Sequence, residues 1–257
     1  MTTACVIPAR LNSSRFPGKL LEKAAGKTVL QHTFEKALAC DHVDVVFVAT
    51  DNEQIADHVD AIGGIVIWTS PDCQNGTERI YDAYLKNKDL QRAKYIVGLQ
   101  GDHPLTQPET ISAILQVLRS DLQAKMSTAV TKIQSRSDFQ SPHVVKCVFD
   151  KDHNALYFSR SPIPYHTNNQ VLNAFGHIGI YCYESTFLRN FFTAASSPLQ
   201  KLEDLEQLKV LENGFRVKIA IVKEKILGID TPQDLKKLNE ILCQSNIFLS
   251  QAESFPH

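Results

Sequence analysis

Arg10, Arg15 and Lys19 stand close together near the start of the chain, and no acidic side chain precedes Glu22. They follow the apolar run Cys5-Val6-Ile7 and are spaced by small residues, Ser13, Ser14 and Gly18 among them. Backbone N–H groups in such a loop turn toward an anion with little hindrance. Guanidinium groups grip phosphate oxygens in pairs while a lysine acts as a mobile point charge, so the two residue types complement each other. The chemistry this suits is polyphosphate binding; a solvated basic loop is the plainer alternative. The chain has neither a Gly-x-x-x-x-Gly-Lys-Ser/Thr loop nor a Gly-x-Gly-x-x-Gly turn.

Carboxylates that would complement a phosphate loop lie far along the chain. Asp102, in Gln100-Gly101-Asp102-His103-Pro104, follows an apolar strand-like run and is a candidate magnesium ligand. Asp230 is a second, standing one residue before Thr231-Pro232. Taken singly, each is equally a turn former or a helix cap. The segment Asp72-Cys73-Gln74-Asn75-Gly76-Thr77-Glu78-Arg79 brings hydrogen-bonding side chains to a helix start, where free N–H groups suit a base edge or a ribose. Arg160, His177, Tyr181, Glu206 and Gln207 are polar residues in otherwise apolar elements, a set suited to surround a sugar acid. Each alone is equally a satisfied structural residue.

These residues need a scaffold that brings them to one edge. Apolar, β-branched runs at Val43–Ala49, Ile65–Thr69 and Tyr95–Leu99 alternate with helical spacing over Lys27–Ala39, Asn52–Ile62, Glu78–Leu85 and Pro108–Leu118. That rhythm predicts an α/β fold with a mostly parallel sheet covered by helices, whose ligands bind at the strand carboxyl ends. From Lys125 the pattern becomes strand-like at Met126–Ile133, Val144–Asp150, Ala155–Ser159 and His177–Tyr183. This predicts an antiparallel extension over about 125–200. A helix over Leu202–Glu212, a strand over Phe215–Val222 and a last helix capped by Thr231 follow. The expected organisation is a single domain over 1–245 and a loosely held tail over 246–257.

At 257 residues and a formal net charge of −1, the chain can bury a sizeable core, and its charge is local. Nucleic acid and anionic membranes are therefore not expected partners. With no signal-peptide-like start and no membrane-length apolar run, a cytoplasmic protein is expected. Six widely spaced cysteines without a Cys-x-x-Cys pair read as reduced thiols.

Ile7-Pro8-Ala9-Arg10, Ser14-Arg15-Phe16-Pro17-Gly18-Lys19, Gly76-Thr77-Glu78-Arg79, Gln100-Gly101-Asp102, Tyr157-Phe158-Ser159-Arg160, His177-Ile178-Gly179, Leu205-Glu206-Gln207-Leu208 and Asp230-Thr231-Pro232 occur in this order. Together they resemble the 3-deoxy-manno-octulosonate (Kdo) cytidylyltransferase family over nearly the whole chain. The resemblance implies a Rossmann-like nucleotidyltransferase fold, a homodimer, and transfer of CMP from CTP to Kdo for lipopolysaccharide synthesis. By the same resemblance, Arg10, Ser14, Arg15 and Lys19 hold the triphosphate, and Gln74, Gly76, Thr77 and Arg79 form the cytidine pocket. Asp102 and Asp230 bind Mg2+. Gln100, Arg160, His177, Tyr181, Glu206 and Gln207 face the sugar acid, and Arg15, Lys19, Asp102 and Asp230 serve catalysis.

Three positions depart from the family's usual residues: His103 stands for Glu, Lys209 for Arg, and Ile229 in Leu227-Gly228-Ile229 interrupts a Gly-Val pattern. They leave open the 8-amino analogue of Kdo or another sugar acid as substrate, and a non-catalytic nucleotide-sugar-binding regulator as the other class. On this reading Lys19→Ala raises the KM for CTP and spares that for the sugar acid. Steady-state kinetics with each substrate varied checks it, and an effect confined to the sugar acid contradicts the triphosphate role.

Overall fold

The computed structural model describes residues 2–13, 15–165, 173–193, 196–223 and 228–252. The first half alternates β1 (Thr3–Pro8), the short pair β2 (Lys23–Ala24) and β3 (Lys27–Thr28), α1 (Val29–Leu38), β4 (Val45–Thr50), α2 (Glu53–Ala61), β5 (Ile65–Trp68), α3 (Gly76–Lys86), α4 (Lys88–Arg92), β6 (Tyr95–Leu99) and α5 (Pro108–Arg119). The second half adds β7 (Ala124–Lys132), α6 (Arg136–Gln140), β8 (Lys146–Phe149), β9 (Ala155–Ser159), β10 (Phe175–Glu184), α7 (Ser185–Thr193), α8 (Pro198–Glu203), α9 (Gln207–Glu212), β11 (Arg216–Val222) and α10 (Pro232–Ala252).

The main sheet runs β11-β7-β10-β6-β1-β4-β5. β5, β4, β1 and β6 are parallel neighbours, and β7 and β11 pair in parallel with each other. β10 runs antiparallel to both of its neighbours, β6 and β7. The expected antiparallel extension is therefore partly a continuation of the main sheet, and the β8–β9 hairpin hangs from the start of β10. Burial explains the apolar runs: every residue of β1 and β6 is buried, because helices cover both faces. One core cluster holds α1 and α5 against one face, and a second holds α3 and α7 against the other.

Two expectations need correction. The helix expected over Leu202–Glu212 is two helices, because Asp204 adopts a left-handed conformation (φ 52°) between α8 and α9. Ser197 and Pro198 start α8 earlier than the apolar spacing suggested, with Gln200 Oε1 accepting from Ser197 N–H at 3.3 Å. The last helix runs from Pro232 to Ala252. Among the described residues, no helix is long and apolar enough to cross a membrane, and all six cysteines are free thiols.

Lys146 at the start of β8 is fully buried. Its three ammonium hydrogens meet three backbone carbonyls, Ser141 O at 2.8 Å, Val144 O at 2.6 Å and Arg160 O at 2.5 Å. The ammonium thus ties the 141–144 turn to the end of β9. Lys146→Met keeps the stem and orphans these acceptors, for an expected loss of about 1–3 kcal/mol. A lower urea midpoint at unchanged m-value checks this.

Candidate active site

β1 delivers the chain to the sheet edge, and the loop after it folds back: Gly18, in a left-handed conformation (φ 73°), donates its N–H to Leu11 O at 2.9 Å. That turn starts a single 3-10 turn at Lys19–Leu21 and buries Lys19. Lys19 Nζ donates to Asp102 Oδ2 at 2.5 Å and Asp230 Oδ1 at 3.1 Å, and Arg15 Nη2 lies 3.1 Å from the same Asp230 oxygen. Burial alone would raise the Asp102 carboxyl, but His103 and Lys19 beside it hold it below the usual carboxylate range.

Two backbone devices join these acids. Ile229 N–H donates to Asp102 O at 3.0 Å, which brings the loop before α10 against the loop after β6. Thr231 Oγ1 accepts from Asp234 N–H at 3.3 Å and donates to Asp234 Oδ2 at 2.8 Å, so Thr231 caps α10 and Asp230 is left to the cations.

The loop before α3 closes the other side. Asn75 Oδ1 accepts from Glu78 N–H at 2.8 Å, so the helix starts at Gly76, earlier than expected, and Thr77 is buried in the first turn. A Cβ at position 76 would lie 2.7 Å from Gln100 Oε1 and 3.1 Å from Pro8 Cγ, so any larger residue there displaces the Gln100 side chain. Arg79, 3% exposed, donates to Thr69 Oγ1 at 2.6 Å and lies 3.2 Å from Asp51 Oδ1, tying the ends of β4 and β5 together. Gln74 turns its side chain onto Asp72 O (2.8 Å) and accepts Arg10 Nη1 at its own carbonyl (3.3 Å). Ser14 lies outside the described residues.

These loops enclose a cleft of about 200 Å³ lined by Arg10, Arg15, Lys19, Arg79, Asp102 and Asp230 among others. Gln74 and Thr77 are not part of that lining. A second cleft, about 430 Å³, is lined by His103, His177, Tyr181, Glu206 and Gln207 among others. Asn75, Gly76, Gln100 and Asp230 line both, so the two clefts meet at the ends of β1 and β6.

In the second cleft Gln207 is 2% exposed, its Oε1 accepts from Tyr181 Oη at 3.2 Å, and among the described residues its Nε2 has no partner. A buried donor left open beside a cleft is a place for a ligand acceptor. Burial raises the Glu206 carboxyl above its ordinary range, as the neighbouring Glu78 and Asp204 charges also do. Burial likewise pushes His177 down to about 3, with the His103 charge in support.

Arg160 lines neither cleft. Its guanidinium donates to Glu203 O at 2.8 Å, Pro142 O at 3.1 Å and Asp204 O at 3.2 Å, clamping the α8–α9 turn. Of the three departures, His103 faces the second cleft and packs on Gly179 and Gly228, where an added Cβ would lie 3.5 and 3.4 Å from the imidazole. Ile229 is buried, and Lys209 lies over the Phe191 ring at 5.0 Å instead of lining either cleft.

Sequence reasoning placed Asn75 only within the Asp72–Arg79 segment and missed His143 as a lining residue. An Asn-Gly pair ahead of a helical run was a readable signal for Asn75, whereas nothing in Ser141-Pro142-His143 marks its place.

Parallel strands ending at a cation-lined cleft, with two carboxylates from distant loops beside a second polar cleft, describe a nucleotidyltransferase. The sequence pattern described as cytidylyltransferase matches residues 4–226. The chain is 44% identical over 247 residues to a 3-deoxy-manno-octulosonate cytidylyltransferase of Protochlamydia amoebophila (strain UWE25), covering 95% of each. It is 40% identical over 246 residues to an 8-amino-3,8-dideoxy-manno-octulosonate cytidylyltransferase of Shewanella putrefaciens, covering 95% of this chain and 100% of that one. A solved CMP:2-keto-3-deoxy-manno-octonic acid synthetase complexed with CTP superposes with a TM-score of 0.90 at 36% identity, covering 95% of this chain and all of that one. The chain belongs to the cytidylyltransferase family, in the group of the 3-deoxy-manno-octulosonate cytidylyltransferases.

His177 makes stability depend on pH. Its folded pKa lies below the unfolded value of about 6.5, so below that pH the unfolded chain binds the extra proton. Its contribution is complete above about pH 6.5 and falls toward pH 3 by up to about 1.4 kcal/mol per pH unit. Urea unfolding at pH 7 and pH 5 checks this: the loss on acidification is smaller in His177→Gln.

Proposed function

We propose that this enzyme transfers CMP from CTP to 3-deoxy-manno-octulosonate, releasing pyrophosphate and supplying an activated sugar for lipopolysaccharide synthesis. The observation that carries the reading is the junction of the two clefts at Gly76, Gln100 and Asp230, with cations on one side and the open Gln207 donor on the other. The near-complete coverage by octulosonate cytidylyltransferases supports the same substrates.

The chemical problem is to align a weakly nucleophilic anomeric hydroxyl with an α-phosphate that is already anionic. Positioning and charge neutralisation dominate such transfers. Arg10, Arg15 and Lys19 take the triphosphate, and their charge stabilises the departing pyrophosphate. The loop at Gln74–Thr77 and Arg79 shape the cytidine side, Arg79 by holding the strand ends. His177, Tyr181, Glu206, Gln207 and Gln100 hold the sugar acid, and Arg160 acts from behind by fixing the turn that carries Glu206.

Asp102 and Asp230 fit a magnesium ion, because both already turn toward one cation, the Lys19 ammonium. Such ions are held by one or two carboxylates together with substrate phosphates. When bound, the ion supplies further charge neutralisation at the phosphate. The remaining expectations join the proposal: a homodimer formed through the 125–200 segment, in the cytoplasm.

The 8-amino analogue is the competing substrate, favoured by relatives of that name at 40% and 41% identity and by His103 in the sugar-side cleft. Pyrophosphate release measured with CTP, Mg2+ and a panel of sugar acids decides. Highest kcat/KM with Kdo is expected; preference for the 8-amino sugar corrects the substrate, and no release with any acid returns the regulator reading. Asp102→Asn lowers turnover by orders of magnitude with the circular dichroism spectrum unchanged, and wild-type turnover in that variant overturns the carboxylate's role.

A further inference from the structure

His177 and Tyr181 are four residues apart on β10, a separation that spans about 13 Å along a regular strand. Their rings are nevertheless 5.4 Å apart, centroid to centroid. The cause is a bulge: pairing with β7 passes from Ile178↔Ala129 directly to Tyr181↔Thr128, leaving Gly179 and Ile180 without partners on that strand. Thr128, fully buried, sits where the ladder breaks. Its Oγ1 lies 2.7 Å from Ile180 O, 3.2 Å from Ile178 O and 2.8 Å from His177 Nε2.

A hydrogen count assigns the roles. Carbonyl oxygens only accept, so the single hydroxyl hydrogen of Thr128 goes to the bulge carbonyls. The hydroxyl oxygen is then free to accept, and His177 Nε2 must be the donor. A neutral imidazole with its proton on Nε2 keeps a lone pair on Nδ1. Burial holds this ring neutral, and Phe158 packs edge-on against it at 5.1 Å. His177 lines the second cleft, and among the described residues Nδ1 has no hydrogen-bond partner.

We propose that Thr128 is a positioning residue that fixes His177 as the Nε2–H tautomer, so that Nδ1 meets the substrate as an acceptor for a sugar hydroxyl. The proposal rests on the sugar-acid reading of this cleft. A carboxylate finds no donor at Nδ1, so the acid group of the sugar is left to Gln207 Nε2, which lies beyond Tyr181 and is open among the described residues. Hydroxyl recognition and acid recognition are thereby separated, and the sugar enters in one orientation.

Long-range 1H–15N spectra of the full-length protein, with histidine labelled, show which ring nitrogen carries the proton. At pH 7 His177 is expected as Nε2–H; an Nδ1–H or doubly protonated ring overturns the proposal. In Thr128→Val the tautomers mix and the KM for the sugar acid rises about tenfold, the scale of one hydrogen bond, while kcat and the KM for CTP hold. Thr128→Ser keeps the hydroxyl and restores both. A tautomer change without a change in sugar KM, or an unchanged spectrum in Thr128→Val, overturns it.

Should Thr128→Val fail to fold, His177→Asn and His177→Gln discriminate. The asparagine oxygen falls near the Nδ1 position, whereas glutamine extends its amide toward Nε2, so the sugar KM is about tenfold lower in the first. Equal values overturn the proposal. Failure of the functional reading looks different: the wild type then turns over no sugar acid, while the histidine spectrum is unaffected.

Discussion

Two carboxylates that share one cation set the terms for this site. Asp102, in the loop after β6, and Asp230, in the loop before α10, converge on the Lys19 ammonium, with Arg15 on the outer side. Without a cation between them, the two carboxylates would repel each other. The convergence depends on the Ile229 N–H to Asp102 O bond, on the Thr231–Asp234 cap that frees Asp230, and on the left-handed Gly18 that turns Lys19 inward. On the proposed reading, an anionic triphosphate and a divalent cation would take over the partners of Lys19 and of the acids respectively.

The two clefts are built by different physics. The cation-lined one is a product of parallel strands: β1 and β6 end side by side, and glycines at 76 and 101 let backbone and Gln100 pack closely where a Cβ would intrude. The second depends on irregularity. A bulge in β10 stacks His177 near Tyr181, and a left-handed Asp204 breaks one helix into two so that Leu205, Glu206 and Gln207 line the cleft. Two cationic side chains support these irregular parts from behind, Lys146 buried and Arg160 partly exposed. Lys146 and Arg160 donate mainly to backbone carbonyls, giving loops that lack ladder hydrogen bonds a fixed shape. Arg160 illustrates how a motif residue in a binding region can act through the turn it holds.

The β-α rhythm, the placement of β6 and β9, the Thr231 cap and the gathering of the opening loop with Asp102 and Asp230 were all legible from residue spacing and resemblance. Each depends on local patterning: continuous apolar runs for strands buried on both faces, or a cap residue followed by proline. The break at Asp204 and the turn of Arg160 onto backbone carbonyls were not legible in the same way. A left-handed aspartate carries no periodic signature, and the direction of an arginine is settled by which carbonyls lie in reach.

The amino-acid sequence by itself therefore indicated the class of chemistry through the resemblance its ordered motifs carry, while three cations after a strand and acids after later strands were consistent with one site at a sheet edge. Tertiary structure decided how each side chain is used. Whether His177 accepts or donates, whether Arg160 faces substrate or scaffold, and whether Asp230 caps a helix or meets Lys19 all depend on hydrogen-bond partners far away in the chain. Spacing encodes faces and edges, but the partners that satisfy a buried polar group exist only once the elements have packed.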